Sequence, residues 1–211
     1  MRIRVKICGI TRLEDAMAAV QHGADAIGFI LWPQSERYIS PEEAGRIVKC
    51  LPPFVRAVGV YVNPDKSWVE ETSATAGLDL LQFHGDESAD FCSRFHLPYI
   101  KAVRVRDGLD LLQYAQHYAG ARGLLLDAYT AGIPGGTGHV FDWKLIPAEL
   151  PLPWILSGGL HPGNITDAIG QTHLSAIDVS SGVEVAKGIK DVNKISAFMQ
   201  RVRSCEDVRS S

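Results

Sequence analysis

A few groups stand out in this chain as able to do chemistry: an acid, a thiol, an arginine and several glycine-rich turns. Asp127 closes the short apolar run 123–127, Gly-Leu-Leu-Leu-Asp, and opens a loop that ends Gly135-Gly136-Thr137-Gly138. Such a run is a strand buried on both faces. The loop after it is too long for an ordinary connection and too rich in Gly and Pro for helix; loops of that kind inside compact domains are usually functional or disordered. An acid at its root and unencumbered backbone amides near its end suit a proton-transfer group beside a lid or anion-binding loop. An Asp that simply starts a turn fits the same residues.

Cys8 ends the first apolar strand. A thiol there is ordinarily a small hydrophobe; opposite Asp127 across a common mouth it becomes a base facing an acid. With an ordinary pKa of about 8.5 it needs a neighbour that favours thiolate, and a carboxyl donor needs burial or a nearby anion. The planar guanidinium of Arg37 suits bidentate capture of a substrate carboxylate, with surface pairing to adjacent Glu36 as the alternative. His84 is a donor to substrate or a cap for its own loop. Gly158-Gly159 allow backbone N–H groups to approach an anion, and Ser180-Ser181-Gly182 add hydroxyls and further amides; the alternative is two tight turns. The Gly135–Gly138 segment lacks the Gly-Lys-Ser/Thr ending of a Walker loop. Lys6 shares strand parity with Cys8, and a buried lysine needs a partner, for which Asp178 on the last strand is the candidate.

The elements that must position these groups alternate. Strands are expected at residues 3–8, 26–31, 54–62, 78–83, 99–105, 123–127, 154–157 and 174–179. Helices are expected at 13–21, from Ser40-Pro41 onward, and at 67–75, 87–95, 109–118, 164–169 and 191–202, with a short turn at Asp142-Trp143. Thr11 and Glu14 form a capping-box pattern for the first helix. Alternation of this kind gives a parallel sheet covered by helices. The fold class expected is an α/β (β/α)8 TIM barrel of ribulose-phosphate-binding type. It is a single domain over residues 1–203, with 204–211 as a frayed charged tail. At roughly 26 residues per unit it is compact for a fold of about 250. A doubly wound open sheet competes, but Cys8-Gly9-Ile10-Thr11 is not its glycine fingerprint. Barrels carry their sites at the carboxyl ends of the strands and commonly hold phosphate after the last two, often at a short extra helix. Residues 183–186 are the candidate for that helix.

Composition narrows the function. The formal net charge is -3 with mixed signs, unlike a basic nucleic-acid surface. No apolar run is long enough to span a membrane, and the N-terminus runs into a strand without a signal-type segment. Cys8, Cys50, Cys92 and Cys205 show no metal-type spacing, which points to reduced thiols in a cytoplasmic protein.

Taken together, several segments resemble the phosphoribosylanthranilate isomerase family. They are Lys6-Ile7-Cys8-Gly9-Ile10-Thr11, Gly59-Val60-Tyr61-Val62-Asn63, Leu81-Gln82-Phe83-His84-Gly85, Leu126-Asp127-Ala128, Gly135-Gly136-Thr137-Gly138 with Phe141-Asp142-Trp143, Leu156-Ser157-Gly158-Gly159-Leu160, and Ile177-Asp178-Val179-Ser180-Ser181-Gly182-Val183-Glu184. They run in family order from residue 6 to about residue 191. The resemblance implies a barrel without cofactor or metal and an Amadori rearrangement, the third step of tryptophan biosynthesis from chorismate. N-(5-phosphoribosyl)anthranilate would become 1-(2-carboxyphenylamino)-1-deoxy-D-ribulose 5-phosphate. It implies Asp127 as general acid and Cys8 as general base, with Arg37 on the anthranilate carboxylate. Gly136, Gly138, Gly158, Gly159, Ser180, Ser181 and Gly182 would hold the phosphate, and His84 would lie against the substrate. The chain departs from the family at Glu36, where Pro is common, and at Ser157 and His161. Two other readings fit less well. A barrel like indole-glycerol-phosphate synthase would need catalytic lysines at the exits, and a phosphate-ligand-binding barrel without catalysis would bind but not turn over.

Overall fold

The structure is a computed structural model, and it describes residues 2–128, 142–172 and 174–210, with side chains to residue 206. Eight parallel strands close a barrel in chain order: β1 Arg4–Cys8, β2 Ala26–Ile30, β3 Arg56–Tyr61, β4 Leu80–Phe83, β5 Tyr99–Val105, β6 Leu124–Ala128, β7 Trp154–Leu156 and β8 Ala176–Val179. Helices α1 Leu13–Gln21, α2 Pro41–Val48, α3 Lys66–Ala76, α4 Ala89–Cys92, α5 Leu111–His117, α6 Ile165–Gln171 and α7 Val192–Ser210 lie between the strands or follow the last. The expected TIM barrel is therefore the observed fold.

Burial on both faces explains the strand composition. All five residues of β6 are buried. Outward-facing Leu124 and Leu126 join the main core against the helices, while Leu125 packs in a separate cluster with Ile100 and Ala102 against Leu80 and Ile155. By strand parity that second cluster belongs to the barrel lumen. On the opposite side of the lumen the filling is ionic. Register pairs Lys6 with Asp178 across the β1–β8 seam that closes the barrel, and Lys6 Nζ lies 2.6 Å from Asp178 Oδ1, as parity predicts.

Four local expectations are corrected. First, Thr11 does not cap α1; its hydroxyl donates to the Gly188 carbonyl, the N-cap is Arg12, and Arg12 instead grips buried Asp15 in the first turn. By contrast Ser40 and Glu43 form a reciprocal capping box on α2. Second, α4 is one turn rather than residues 87–95, because Glu87 is drawn into the protein by Lys101 and Ser88 becomes the N-cap. Third, residues 183–186 are not a helix. A 3-10 turn at Ser181–Val183 leads into strand β9 Glu184–Ala186, which pairs antiparallel with β10 Ile189–Lys190. Fourth, α7 runs on past residue 202 to Ser210. No helix among the described residues is long and apolar enough to cross a membrane.

Candidate active site

At the carboxyl ends of the strands lies a cavity of about 260 Å³. Its walls bring together Cys8 from β1, Arg37 from the β2 exit, Gln82 from β4 and His84 from its exit, Asp127 from β6, Ser157, Gly158 and Gly159 after β7, and Asp178, Ser180 and Ser181 from β8 and its exit. The thiol and the carboxyl that the sequence singled out thus face one mouth.

Asp127 is 3 % exposed. Its Oδ1 accepts from the Ala128 amide at 2.9 Å, and its Oδ2 lies 3.0 Å from His84 Nε2. Gln82 Nε2 lies 2.9 Å from His84 Nδ1, so the imidazole is bonded at both ring nitrogens, to Gln82 on one side and Asp127 on the other. His84 therefore orients the acid as well as lining the cavity. Gln82, two residues earlier and of the same parity, is a site residue the sequence analysis passed over. Gly158 sits in the left-handed region at φ +85°, and a Cβ there would lie 2.6 Å from the Ala128 nitrogen and 2.8 Å from Asp127 Oδ1. Glycine at this exit is thus required by the backbone and by the acid beside it.

Cys8 is 5 % exposed and free, as are the other three cysteines. It packs over Gly28, where a Cβ would fall 2.8 Å from its sulfur and 3.0 Å from Lys6 Cε. Burial pushes the thiol above its ordinary pKa; the Lys6 ammonium pulls the other way, and Asp178 adds to the rise. For Lys6 itself burial disfavours the charge, but Asp178, helped by Cys8, outweighs it and holds the pKa above the ordinary lysine value. Asp178 also accepts from the Ser157 hydroxyl at 3.3 Å. Ser180 Oγ donates to the Cys8 carbonyl at 3.0 Å, tying the β8 exit to the β1 exit.

Gly158 and Gly159 both have positive φ, and among the described residues their amide N–H groups donate to nothing. With Ser180 and Ser181 they form the exits where an anion would be met. Gly182 lies behind this wall rather than on it; a Cβ there would sit 1.9 Å from the Leu160 carbonyl oxygen. Gly136 and Gly138 lie outside the described residues. Among the described residues no cluster of His, Cys, Asp and Glu could hold a metal ion.

Arg37 is not paired with its neighbour. Glu36 pairs with Lys187, while Arg37 makes a two-pronged contact with Glu184, Nε to Oε1 at 2.9 Å and Nη2 to Oε2 at 2.8 Å. Burial works against the guanidinium charge, but Glu184 holds the Arg37 pKa above its usual value. Glu184 is the second site-associated residue that sequence reasoning missed. It is 147 positions from Arg37, and its only signal was its place at the end of the family-like segment 177–184.

Comparison with known proteins agrees with this geometry. The family model of N-(5'-phosphoribosyl)anthranilate isomerase matches residues 5–201. The chain is 81% identical to N-(5'-phosphoribosyl)anthranilate isomerase of Nitrosomonas eutropha, over 99% of this chain and 100% of that protein. Its fold is similar to the crystal structure of phosphoribosyl anthranilate isomerase from Thermotoga maritima, with a TM-score of 0.86, 42% identity, and 96% and 99% of the two chains covered. It is also similar to a phosphoribosyl anthranilate isomerase crystallised with reduced 1-(o-carboxyphenylamino)-1-deoxyribulose 5-phosphate, with a TM-score of 0.82, 39% identity, and 96% and 99% coverage. With an acid and a thiol across one barrel mouth and a match spanning nearly the whole chain, this protein belongs to the N-(5'-phosphoribosyl)anthranilate isomerase family.

Proposed function

We propose that the barrel mouth carries out the Amadori rearrangement of N-(5-phosphoribosyl)anthranilate by acid–base catalysis, with Asp127 as acid and Cys8 as base. The carrying observation is that both line one cavity whose walls also carry Arg37, Gly158 and Gly159. Asp127 gives a proton to the furanose ring oxygen as the C1–O bond breaks, leaving an iminium at C1. The Cys8 thiolate takes the proton from C2, and the electron pair moves into a C1–C2 enolamine. Tautomerisation to the 2-ketone completes a shift in which no atom is gained or lost. Arg37 holds the anthranilate carboxylate, and Gly158, Gly159, Ser180 and Ser181, with Gly136 and Gly138, hold the phosphate, while Gly182 backs the turn that carries the two serines. His84 positions Asp127. A ligand pinned at both charged ends is what makes positioned proton transfer effective. The neighbour crystallised with a reduced product analogue supports a small-molecule phosphosugar ligand. The reading places this activity in a single domain, the barrel with its closing helix α7, in the cytoplasm, with no nucleic-acid or membrane partner.

The direct test is consumption of fluorescent phosphoribosylanthranilate by the purified chain; absence of turnover removes the proposal. A pH profile tests the assignment of the base. The working state carries one proton between the two groups, on Asp127, with thiolate at Cys8. Its population is steady while the pair holds one proton and falls when the second is lost at alkaline pH. Because burial outweighs the pull of Lys6 and raises the thiol pKa, that loss is delayed. The alkaline fall in kcat/KM is therefore expected above about pH 8.5. A fall centred near neutrality would exclude this thiol as the base.

A further inference from the structure

Arg37 reaches the cavity but does not hold itself there. Its stem crosses Gly9, where a Cβ would lie 2.8 Å from Arg37 Cδ, and its Nε and Nη2 are both taken by Glu184. Glu184 does not line the cavity and its side chain is only 5 % exposed. A carboxylate gripping the Nε–Nη2 edge fixes the plane of the guanidinium and leaves Nη1 as the edge for another ligand. Placing an acid beside a group meant to attract a carboxylate would ordinarily defeat it. Here a second cation offsets the acid. Lys190, with a side chain of 0 % exposure, lies 2.8 Å from Glu184 Oε1 and donates to the Ser180 carbonyl at 3.2 Å. Two cations and one anion leave the cluster with one net positive charge.

The β9–β10 hairpin holds this arrangement in place. Gly188 N donates to Glu184 Oε1, the Gly188 carbonyl accepts from Thr11, and Lys190 N donates to Asp15, which Arg12 clamps. The hairpin thus braces the β8 exit against the β1 and β2 exits. We propose that Glu184 is a positioning residue that aims Arg37 at the substrate carboxylate, with Lys190 as the buried counter-charge that keeps the site cationic. This rests on the reading of Arg37 as the carboxylate-binding group.

The test compares binding of two ligands, reduced 1-(o-carboxyphenylamino)-1-deoxyribulose 5-phosphate and its phenylamino counterpart lacking the carboxylate. Wild type is expected to favour the carboxylate ligand by roughly 10- to 100-fold, the worth of charge-assisted hydrogen bonds. Glu184→Gln should shrink that preference to within a few fold while leaving the decarboxylated ligand's affinity unchanged. Its KM should rise and its kcat fall, since Arg37 both binds the carboxylate and holds the sugar between acid and base. Should the single variant misfold around an unpaired Lys190, Glu184→Gln with Lys190→Met removes both charges and should show the same collapse. A variant that keeps the wild-type preference overturns the role of Glu184. A wild type that turns over substrate yet shows no preference overturns the role of Arg37, and this inference with it, while leaving the isomerase reading intact. A wild type without turnover overturns that reading instead.

Discussion

Asp127→Ala and Cys8→Ala are each expected to lower turnover by on the order of 10²–10⁴-fold, the usual contribution of one positioned proton-transfer group. The fold should survive both changes. Cys8 contributes a small side chain at the edge of the lumen, and the ionic filling beneath it, Lys6 with Asp178, is untouched. Asp127 bonds to His84 and to its own neighbour's amide, and removing it leaves an imidazole nitrogen facing a cavity that water can enter. Steady-state kinetics on phosphoribosylanthranilate, with circular dichroism and melting temperature as controls, separate the two effects. Turnover within a few fold of wild type in either variant would remove that residue from its role. The losses should not multiply in the double variant, because acid and base serve one proton shift.

The largest stability effect is expected outside the cavity, at Glu87. Lys101 lies on the outer face of β5 with 0 % side-chain exposure, 3.1 Å from Glu87 Oε2, and Glu87 is itself 2 % exposed. The ammonium also donates to the carbonyls of Phe83 and Gly85, while Glu87 accepts from the amides of Asn63 and Gly85. One ion pair therefore ties the exits of β3 and β4, including the loop that begins at His84. Glu87→Ala strands a buried cation, which costs about 3–5 kcal/mol. For a chain of this size that lowers the melting temperature by roughly 6–20 °C. Denaturant unfolding of Glu87→Ala against the double variant Glu87→Leu with Lys101→Met identifies the cause. Recovery in the double variant marks the uncompensated charge as the cost. An equal loss in both would place it in the orphaned Asn63 and Gly85 amides instead.

Much of this was legible in one dimension, for reasons that are local. The strands of a barrel buried on both faces read as apolar runs, and β5 has the bounds its sequence suggests, Tyr99–Val105. Side-chain parity put Lys6 beside Cys8, and strand order put β8, which carries Asp178, next to β1; the structure pairs the two residues in register. Where local signals misled, a distant partner had won. Thr11 has the pattern of a cap but bonds to Gly188, and residues 87–95 have a helical pattern but lose Glu87 to Lys101. Glu184 could be picked out only as the end of the family-like segment 177–184, since nothing in the neighbourhood of residue 184 points to residue 37.

The amino-acid sequence alone determined the alternation of strands and helices, and with it which residues stand at the carboxyl ends of the strands, because period and turn chemistry are properties of neighbouring residues. Tertiary structure decided what each of those residues faces. It set His84 against Asp127 and Glu184 with Lys190 behind Arg37. The partner that satisfies a buried charge is whichever group the closed barrel brings within about 3 Å, and chain distance does not specify it.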